Sequence, residues 1–398
     1  MSRLITNSIR STSASADAIT FDGSGNATFP ANITCSGTAT GFGGGRAHNL
    51  IINGAMNVAQ RGTSSTSSGF HTVDRFEMEY TGTDEAPTQA QVDVASGTTP
   101  YTLGFRKAFK ITNGNQTSGA GAADRIRYRY KFEAQDLANS GWNYVSSSSN
   151  VTLSFWIKSS VAQNFYGQFL TMDGSQQGYT FETGSLTADT WTKVTKTIPG
   201  NSNITIDNDT GIGIQFDFFA FLGTDSTGTM TLNQWAAYSG TARTPDNTST
   251  WYTTNDATLE LTGVLLEVGD SASDYPHLSY ADELPKCQRY YYIWRVYSSG
   301  SYVWMGQSNG SDKIWGTIKT FPVQMRAIPT STINGSSFFP VGANQSVGGH
   351  SAFSSYAFDF NSQYDLQGTW SGAAGIDTDA VVVFANTTSH YFDASAEL

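Results

Sequence analysis

The sequence contains few residues of the kinds that bind metals or cross-link segments. It has two cysteines and five histidines among 398 residues. These residues show no HxH, HxxxH, HExxH or CxxC spacing, so we expect no zinc site. Cys35 and Cys287 fall in different segments of the predicted organisation, and we expect stability to be independent of a disulfide.

Positive charge is also scarce. The chain has 22 Lys and Arg residues against 33 Asp and Glu residues, which gives a formal net charge of -11. Nucleic-acid binding needs clustered Lys and Arg, so nucleic acid is not an expected partner. The densest basic run, RIRYRYK at 125–131, alternates basic with apolar side chains and predicts a strand with one face towards solvent.

Long apolar runs are missing. No stretch approaches the ~18 apolar residues of a membrane-spanning helix. The first residues, MSRLITNSIRSTSASAD, contain no apolar run of the length found in signal peptides. These features predict synthesis in a reducing cytosol and no membrane insertion.

Catalytic signatures are absent from the sequence as well. It has no GxSxG, no Walker loop and no GxGxxG between a strand and a helix. Enzymes that hydrolyse glycosidic bonds use paired carboxylates, and adjacent acidic residues such as Asp84 and Glu85 occur here without a context that would raise a carboxyl pKa. The sequence therefore predicts a protein with no catalytic residues that is not an enzyme.

What the sequence does have is glycine, aromatic residues and hydroxyl side chains. It contains 40 glycines and 13% aromatic residues, a composition that favours strands and turns. Strand candidates recur from residue 46 to 275, and in VTLSFWIK the residues Val151, Leu153, Phe155 and Ile157 alternate along one face. Roughly ten strands without a convincing helix predict an antiparallel sandwich of the jelly-roll type. A parallel β-helix is the rival all-β design, but it needs a repeat of ~20–25 residues that the sequence lacks.

Changes in composition divide the chain into four segments. We predict an N-terminal segment (1–45), a jelly roll (46–275), a linker with a short helix (276–288) and a C-terminal β-sandwich (289–398). The first segment contains a hairpin signal in ITFDGSGNATF but too few large apolar side chains for its own core. This shortage favours a trimer, or docking onto a partner, over disorder. In the linker, Asp282 is expected to cap a helix of residues 283–286.

Two sequence elements bracket the predicted jelly roll. The first is NLIINGAMNVAQRGTS with FHTVDRFEM, and the second is LTGVLLEVG with YADELPKCQRYY. Together they resemble the entry and exit of the carbohydrate-binding-like jelly roll of phage tail-fibre and virion proteins. The matching residues are Asn49, Ile52, Asn53, Gly54, Met56, Gln60, Arg61, Gly62, Val73, Asp74, Arg75, Phe76, Leu261, Gly263, Val264, Leu266, Glu267, Gly269, Tyr280, Glu283, Leu284, Cys287, Gln288, Arg289, Tyr290 and Tyr291. Leu265 stands where this family usually has glutamine.

Most of the matching residues suit structural roles. We expect Asp74 to pair with Arg75, and Glu267 to pair with Arg289, as structural ion pairs. Cys287 is expected to pack as a small buried apolar residue.

The resemblance implies a phage tail fibre that binds a host receptor. In this reading residues 1–45 attach a homotrimer to the tail or baseplate, the jelly roll serves as spacer or glycan-binding module, and the C-terminal sandwich forms a tip that binds host surface polysaccharide reversibly. The protein would then be located in the virion tail after assembly in the host cytoplasm. Two alternatives stay open, a non-receptor structural fibre or adaptor of the virion and a glycan depolymerase.

Aromatic residues among polar ones are the candidate glycan contacts, because sugars stack on flat rings and hydrogen-bond to hydroxyl and amide groups. The candidates are Tyr302, Trp304, Trp315, Tyr364 and Trp370 in the C-terminal segment, and Trp142 and Tyr144 in the jelly roll. No cofactor is expected. A structural calcium is an option at Asp207 and Asp209, whose alternate spacing can supply oxygen ligands, although an Asx turn explains the same pattern.

Overall fold

The computed structural model describes residues 8–9, 19–21, 27–28, 49–295, 301–308, 313–334, 338–342, 355–371, 380–385 and 391–398. The chain forms two compact units, Met1–Arg46 and Ala47–Leu398. The first unit contains a three-stranded antiparallel sheet of β1 (Ser8–Ile9), β2 (Ile19–Phe21) and β3 (Ala27–Thr28). Pairing of β2 with β3 confirms the predicted hairpin, whereas Cys35 lies outside the described residues.

The second unit begins with twelve strands in two six-stranded antiparallel sheets. The strands are β4 (Ser64–Ser65), β5 (Phe76–Thr81), β6 (Thr88–Asp93), β7 (Lys107–Thr112), β8 (Arg125–Glu133), β9 (Asn150–Ser159), β10 (Asn164–Thr171), β11 (Gln177–Ser185), β12 (Thr192–Pro199), β13 (Ile212–Leu222), β14 (Trp235–Ala237) and β15 (Thr258–Val268). We call the sheet of order β14-β11-β10-β13-β8-β5 the front sheet, and that of order β12-β9-β15-β7-β6-β4 the back sheet.

The main core lies between these two sheets. Val151, Leu153, Phe155 and Ile157 of β9 are each at most 2% exposed, which confirms the alternation seen in the sequence. Phe155 packs edge-on against Phe218 of β13, with ring centroids 5.6 Å apart. Replacing such a buried phenylalanine by alanine typically costs about 3–5 kcal/mol. The predicted all-β antiparallel sandwich is confirmed.

Helices are few and short in the described part of the chain. They are α1 (Thr99–Thr102), α2 (Ala134–Ala138), α3 (Thr250–Thr253) and α4 (Tyr280–Gln288), with one 3₁₀ turn at Thr224–Ser226. The predicted start of α4 is wrong, because Ser279 is the capping residue and its Oγ accepts from the Asp282 backbone N at 3.2 Å. The Asp282 carboxylate in turn accepts from Ser279 Oγ at 2.6 Å, so both side chains secure one helix end. No helix among the described residues is long and apolar enough to cross a membrane.

Nine further strands follow α4 within the residues that the structure describes. They are β16 (Tyr291–Arg295), β17 (Ser301–Ser308), β18 (Lys313–Thr320), β19 (Thr330–Asn334), β20 (Phe338–Gly342), β21 (Ser355–Asn361), β22 (Asp365–Ser371), β23 (Ala380–Ala385) and β24 (Tyr391–Ser395). They form a six-stranded antiparallel sheet, β20-β23-β17-β18-β22-β21, and a three-stranded one, β16-β24-β19.

The segment after β24 packs against the jelly roll. The backbone oxygen of Leu398 accepts from Lys131 Nζ of β8 at 2.6 Å, and the backbone N of Ala396 donates to Tyr290 O at 2.7 Å. Arg326 adds a hydrogen bond of 2.7 Å to Ala396 O. These bonds tie the last residues of the sequence to β8 and to the predicted exit of the jelly roll.

Both predicted ion pairs at this junction are wrong. Glu267 accepts from Ser273 N and Ser273 Oγ, each at 2.7 Å, so it closes a local loop and does not reach Arg289. Arg289 instead pairs with Glu133 of β8 at 2.6 Å. Asp74 accepts from the backbone N of Gln60, whereas Arg75 pairs with Glu397.

Candidate functional site

A row of polar residues crosses five strands of the front sheet on its outer face. Strand pairing places Glu77 beside Arg129, Arg129 beside Asp217, Asp217 beside Gln168, and Gln168 beside Thr180. Side chains on one face of a sheet repeat every second residue. The apolar residues that alternate with these polar ones along each strand therefore point into the core. The sequence predicts that the basic face of β8 is exposed to solvent. The structure instead packs this face into the polar row, and Arg127 beside the row is only 4% exposed.

Asp217 is the centre of the row. It is 1% exposed and accepts from Arg127 at 2.8 Å, Arg129 at 2.9 Å and Arg243 at 2.6 Å. A fourth donor, Gln215 Nε2, lies 2.8 Å away. Four donors satisfy the buried carboxylate, as burial of a charge requires.

Arg243 anchors a covering loop onto the front sheet. Its guanidinium carbon lies 4.9 Å from the ring centre of Phe219. Its backbone oxygen accepts from Gln168 Nε2 at 2.9 Å and from Thr180 Oγ1 at 2.8 Å. The loop between β13 and β15 is therefore held over this row by both the side chain and the backbone oxygen of Arg243.

A pocket of about 270 Å³ lies between this loop and the sheet. None of its twelve lining residues carries a charge; the polar ones include Gln168, Thr180, Thr229, Thr231, Gln234 and Ser239. Tyr238 adds a half-buried aromatic ring, and the exposed residues Ala236 and Ala237 contribute only small side chains to the lining. We call this site the neutral pocket.

A second cleft of about 250 Å³ lies on the outer face of the back sheet. Its walls include Phe105, Trp156 and Tyr275, and its charged or titratable side chains are Lys193, Asp274 and His277. Burial raises the pKa of Tyr275, so its phenol stays protonated. We call this site the Trp156 cleft.

Two of the glycan contacts predicted from the sequence lie at the edge of the core. Trp142 is 4% exposed and belongs to the main core, with Nε1 donating to Ser149 O at 3.1 Å. Tyr144 packs beside it, with ring centroids 6.2 Å apart, and its hydroxyl lies 3.4 Å from Ile206 O. In this structure the Trp142 ring has no free face on which a sugar can stack.

The other five candidates lie beyond residue 300. Tyr364 is 59% exposed in the turn before β22. The other four lie in strands, and the structure does not describe their side chains. Pairing sets Trp315 beside Gln307 and Trp370 beside Ile314. Along these ladders Trp304 and Trp370 have the same parity and Trp315 the opposite one, so the three tryptophans do not fall in one row of positions.

The proposed calcium ligands form a turn. Asp209 Oδ1 accepts from the backbone N of Gly211 at 2.8 Å, as in an Asx turn, and the backbone N of Asp207 donates to Asp173 Oδ2 at 2.9 Å. Burial, followed by the negative charges of Asp207 and Asp209, raises the pKa of Asp173. Within the part of the chain that the structure describes, no group of three or more His, Cys, Asp or Glu residues is placed to hold a metal.

None of the residues that line the neutral pocket is among the glycan contacts predicted from the sequence. Gln168 and Thr180 read there as ordinary strand positions, and the covering loop reads as a polar linker. The available signal was the alternation of β8, whose basic side chains need carboxylates on neighbouring strands. The order of the strands decides which carboxylates lie beside each basic side chain, and this order cannot be predicted from one sequence.

Comparison with known proteins finds no matching family model and no matching curated protein. Among solved structures, similarity is found to the enzymatically active domain of bacteriophage CBA120 tailspike protein 4 (8% identity, TM-score 0.30), over 56% of this chain and 21% of that one. The N-terminal cellulose-binding domain of Cellulomonas fimi β-1,4-glucanase C is also similar (12% identity, TM-score 0.26), over 54% of this chain and 99% of that one.

A third similar structure is the family 11 carbohydrate-binding module of Clostridium thermocellum, in complex with a mixed-linked tetrasaccharide. It has 12% identity and a TM-score of 0.24, over 52% of this chain and 95% of that one. At such low identity and TM-score, the likeness carries no argument about ligand, partner or residue role.

Proposed function

We propose that this chain is a glycan-binding protein of the phage tail-fibre type, and that the neutral pocket holds one sugar of a host surface polysaccharide. The observation that carries this proposal is the lining of the pocket, which combines hydroxyl and amide side chains with one tyrosine ring and no charge. Neutral sugars offer hydroxyl groups at their edges and apolar C–H groups on their faces. The lining complements both features.

The fixed floor of the pocket supports the same proposal. Gln168 and Thr180 are held by the Arg243 backbone oxygen, and Arg243 is held by Asp217. A site whose polar groups are already oriented loses less entropy when a ligand binds. We expect weak affinity at each pocket, because the pocket accommodates one sugar residue and is open to solvent.

The wider assignment rests on the resemblance of the entry and exit elements to those of tail-fibre proteins. In that setting residues 1–45 attach the protein to the tail or baseplate, and the chain assembles as a homotrimer in the virion. Three weak pockets on one fibre then bind through avidity, because the second and third contacts form at high effective concentration. Binding is reversible and proceeds without cleavage of the glycan.

The experiment is a binding titration of the full-length chain with purified host polysaccharide and its neutral oligosaccharides. Ala236→Leu should fill the pocket and Tyr238→Ala should remove the ring, and each should weaken binding about tenfold or more. Tyr364→Ala is the matched control, since this exposed tyrosine lies in the predicted tip. If Tyr364→Ala abolishes binding and the pocket variants do not, the glycan binds at the tip and the pocket assignment is wrong.

Three outcomes would contradict parts of this proposal. Sustained release of reducing ends from the polysaccharide would make the protein a depolymerase. Unchanged host adsorption of particles that carry both pocket variants, together with defective assembly after deletion of residues 1–45, would favour a structural fibre or adaptor. A mass of 42.9 kDa by light scattering would mean a monomer and would contradict the trimer.

A further inference from the structure

The Trp156 cleft lies on the opposite face of the sandwich from the neutral pocket and shares no lining residue with it. Its floor comes from the outer face of the back sheet, where Ser154 and Trp156 alternate with the core residue Phe155. The segment from 269 to 277 passes across this face: Asp270 O accepts from Thr197 Oγ1 at 3.2 Å, and His277 reaches Leu103. The cleft is thus bounded by a sheet on one side and by a chain segment on the other.

A bulge in β15 shapes the cleft. Pairing between β15 and β9 shifts register between Thr262 and Leu265, and Gly263 there has φ of +64°. A Cβ on Gly263 would lie 2.6 Å from the Phe105 ring. The bulge therefore lets Phe105 approach the backbone, and Phe105 packs against Tyr275 at 5.0 Å between ring centroids.

A lysine, Lys193, lies beside the Trp156 side chain in the cleft. Lys193 of β12 is the direct cross-strand partner of Trp156 of β9, so the ammonium group and the half-buried indole face the cleft side by side. Lys193 is exposed, and its side chain makes no hydrogen bond or ion pair with any residue that the structure describes. By contrast, Lys107 pairs with Asp93 at 2.6 Å and Lys158 with Glu260 at 3.0 Å.

His277 and Asp274 complete the polar rim. The Leu103 carbonyl oxygen lies 2.9 Å from His277 Nε2 and can only accept, so Nε2 carries a proton, and in the neutral imidazole Nδ1 is an acceptor. The Asp274 carboxylate is a second acceptor on the covering segment. Both groups suit the hydroxyl donors of a sugar, whereas Lys193 supplies the positive charge.

We propose that the Trp156 cleft is a second saccharide site, one that takes an acidic sugar. The apolar face of the sugar ring stacks on Trp156, the ring carboxylate pairs with Lys193 Nζ, and hydroxyl groups donate to Asp274 and to His277 Nδ1. Charge separates the two sites: the neutral pocket offers no charged group, and the cleft offers an unpaired lysine next to an aromatic platform.

The test is calorimetry and indole NMR on the full-length chain with two acidic probes, trigalacturonate and sialyllactose. Maltotriose is the neutral probe and the glucosamine trimer is the cationic one. We expect at least one acidic probe to bind, to shift one tryptophan indole resonance and to weaken as salt rises. Lys193→Gln should reduce its affinity about tenfold or more, Lys193→Arg should keep most of it, and Trp156→Ala should abolish the indole shift.

Lys107→Gln is the matched control, because it removes the same charge from a lysine outside the cleft and should leave binding unchanged. Tyr238→Ala should also leave acidic-probe binding unchanged, which separates this inference from the fate of the neutral pocket. Failure of both acidic probes to bind at millimolar concentration would overturn the proposal. Equal binding of maltotriose would also overturn it, and so would a preference for the glucosamine trimer that is lost in Asp274→Asn.

Discussion

Arg75 donates a hydrogen bond to the carboxylate of Glu397, 322 residues further along the chain. The Arg75 side chain is 1% exposed and that of Glu397 is 7% exposed. The guanidinium carbon also lies 3.5 Å from the ring centre of Tyr290, and a second donor group of Arg75 bonds to Lys131 O at 2.7 Å. One buried cation thus joins the entry strand, the exit of the jelly roll and the last residues of the sequence.

This junction predicts a large effect of neutralising Glu397. Glu397→Gln leaves Arg75 buried without its counter-charge, and loss of one partner of a buried pair typically costs about 3–5 kcal/mol. Urea unfolding should show this loss in the free energy of unfolding. Asp93→Asn is the control, because its pair with Lys107 is exposed and should be worth less than about 1 kcal/mol. Similar effects of the two variants would mean that the junction contributes little.

The Asn-Gly pair of the entry element gives a second prediction. Gly54 has no room for a side chain, because a Cβ would lie 2.0 Å from the backbone oxygen of Val264. Gly54→Ala must displace β15, and we expect a loss of at least about 2–3 kcal/mol, at the upper end for overpacking. Gly97→Ala is the matched control: Gly97 has φ of +84° with open space around it, so the cost is only conformational, about 1–2 kcal/mol. The comparison needs thermal or urea unfolding of both variants.

Alternation and turn signals were enough to predict the sandwich. The inward face of β9 and the hairpin of β2 and β3 follow directly from the residues, since period-2 burial is a local property. The helix predicted at 283–286 is shorter than α4, because the structure uses Ser279, and not Asp282, as the capping residue. The resemblance draws attention to the entry and exit elements, but the ion-pair partners expected for their residues are wrong.

The partners and the pockets depend on contacts that are distant in sequence. Glu133 meets Arg289 only because α4 ends beside β8, and Glu397 meets Arg75 only because β24 returns to the jelly roll. In the same way, Asp217 meets Arg243 only because the covering loop folds back over the front sheet. A single sequence offers many carboxylates to each arginine, and the fold decides between them.

The pH dependence of stability should report on Asp74. Burial raises the pKa of this carboxyl from 3.8 to about 6, although Arg61 and Gln60 act in the opposite direction. Between about pH 4 and pH 6 the folded state therefore binds more protons than the unfolded state. Its stability falls as pH rises through this window, by up to about 1.4 kcal/mol per pH unit, and the contribution levels off above pH 6.

Asp74→Asn removes this titration and leaves the size of the side chain nearly unchanged. We expect the free energy of unfolding of the natural chain, relative to that of Asp74→Asn, to decrease between pH 4 and pH 6. The measurement is urea unfolding at four or five pH values for both proteins. A difference that is constant across this range, or that grows with pH, would show that Asp74 is ionised in the folded state at low pH.

The last prediction concerns the link between the ionic row and the neutral pocket. Asp217→Asn leaves Arg127, Arg129 and Arg243 without their shared carboxylate, and we expect a loss of about 3–5 kcal/mol in stability. Because Arg243 also holds Gln168 and Thr180 through its backbone oxygen, the variant should weaken neutral-sugar binding under conditions where it remains folded.

A double-mutant cycle with Arg243→Met separates the two effects. If Asp217 acts on the pocket through Arg243, the two substitutions together should reduce sugar affinity no further than Arg243→Met alone. Glu260→Gln is the control, since Glu260 pairs with Lys158 on the back sheet, away from the pocket. Additive losses of affinity would show that Asp217 and Arg243 act separately. In that case the covering loop does not couple Asp217 to the pocket.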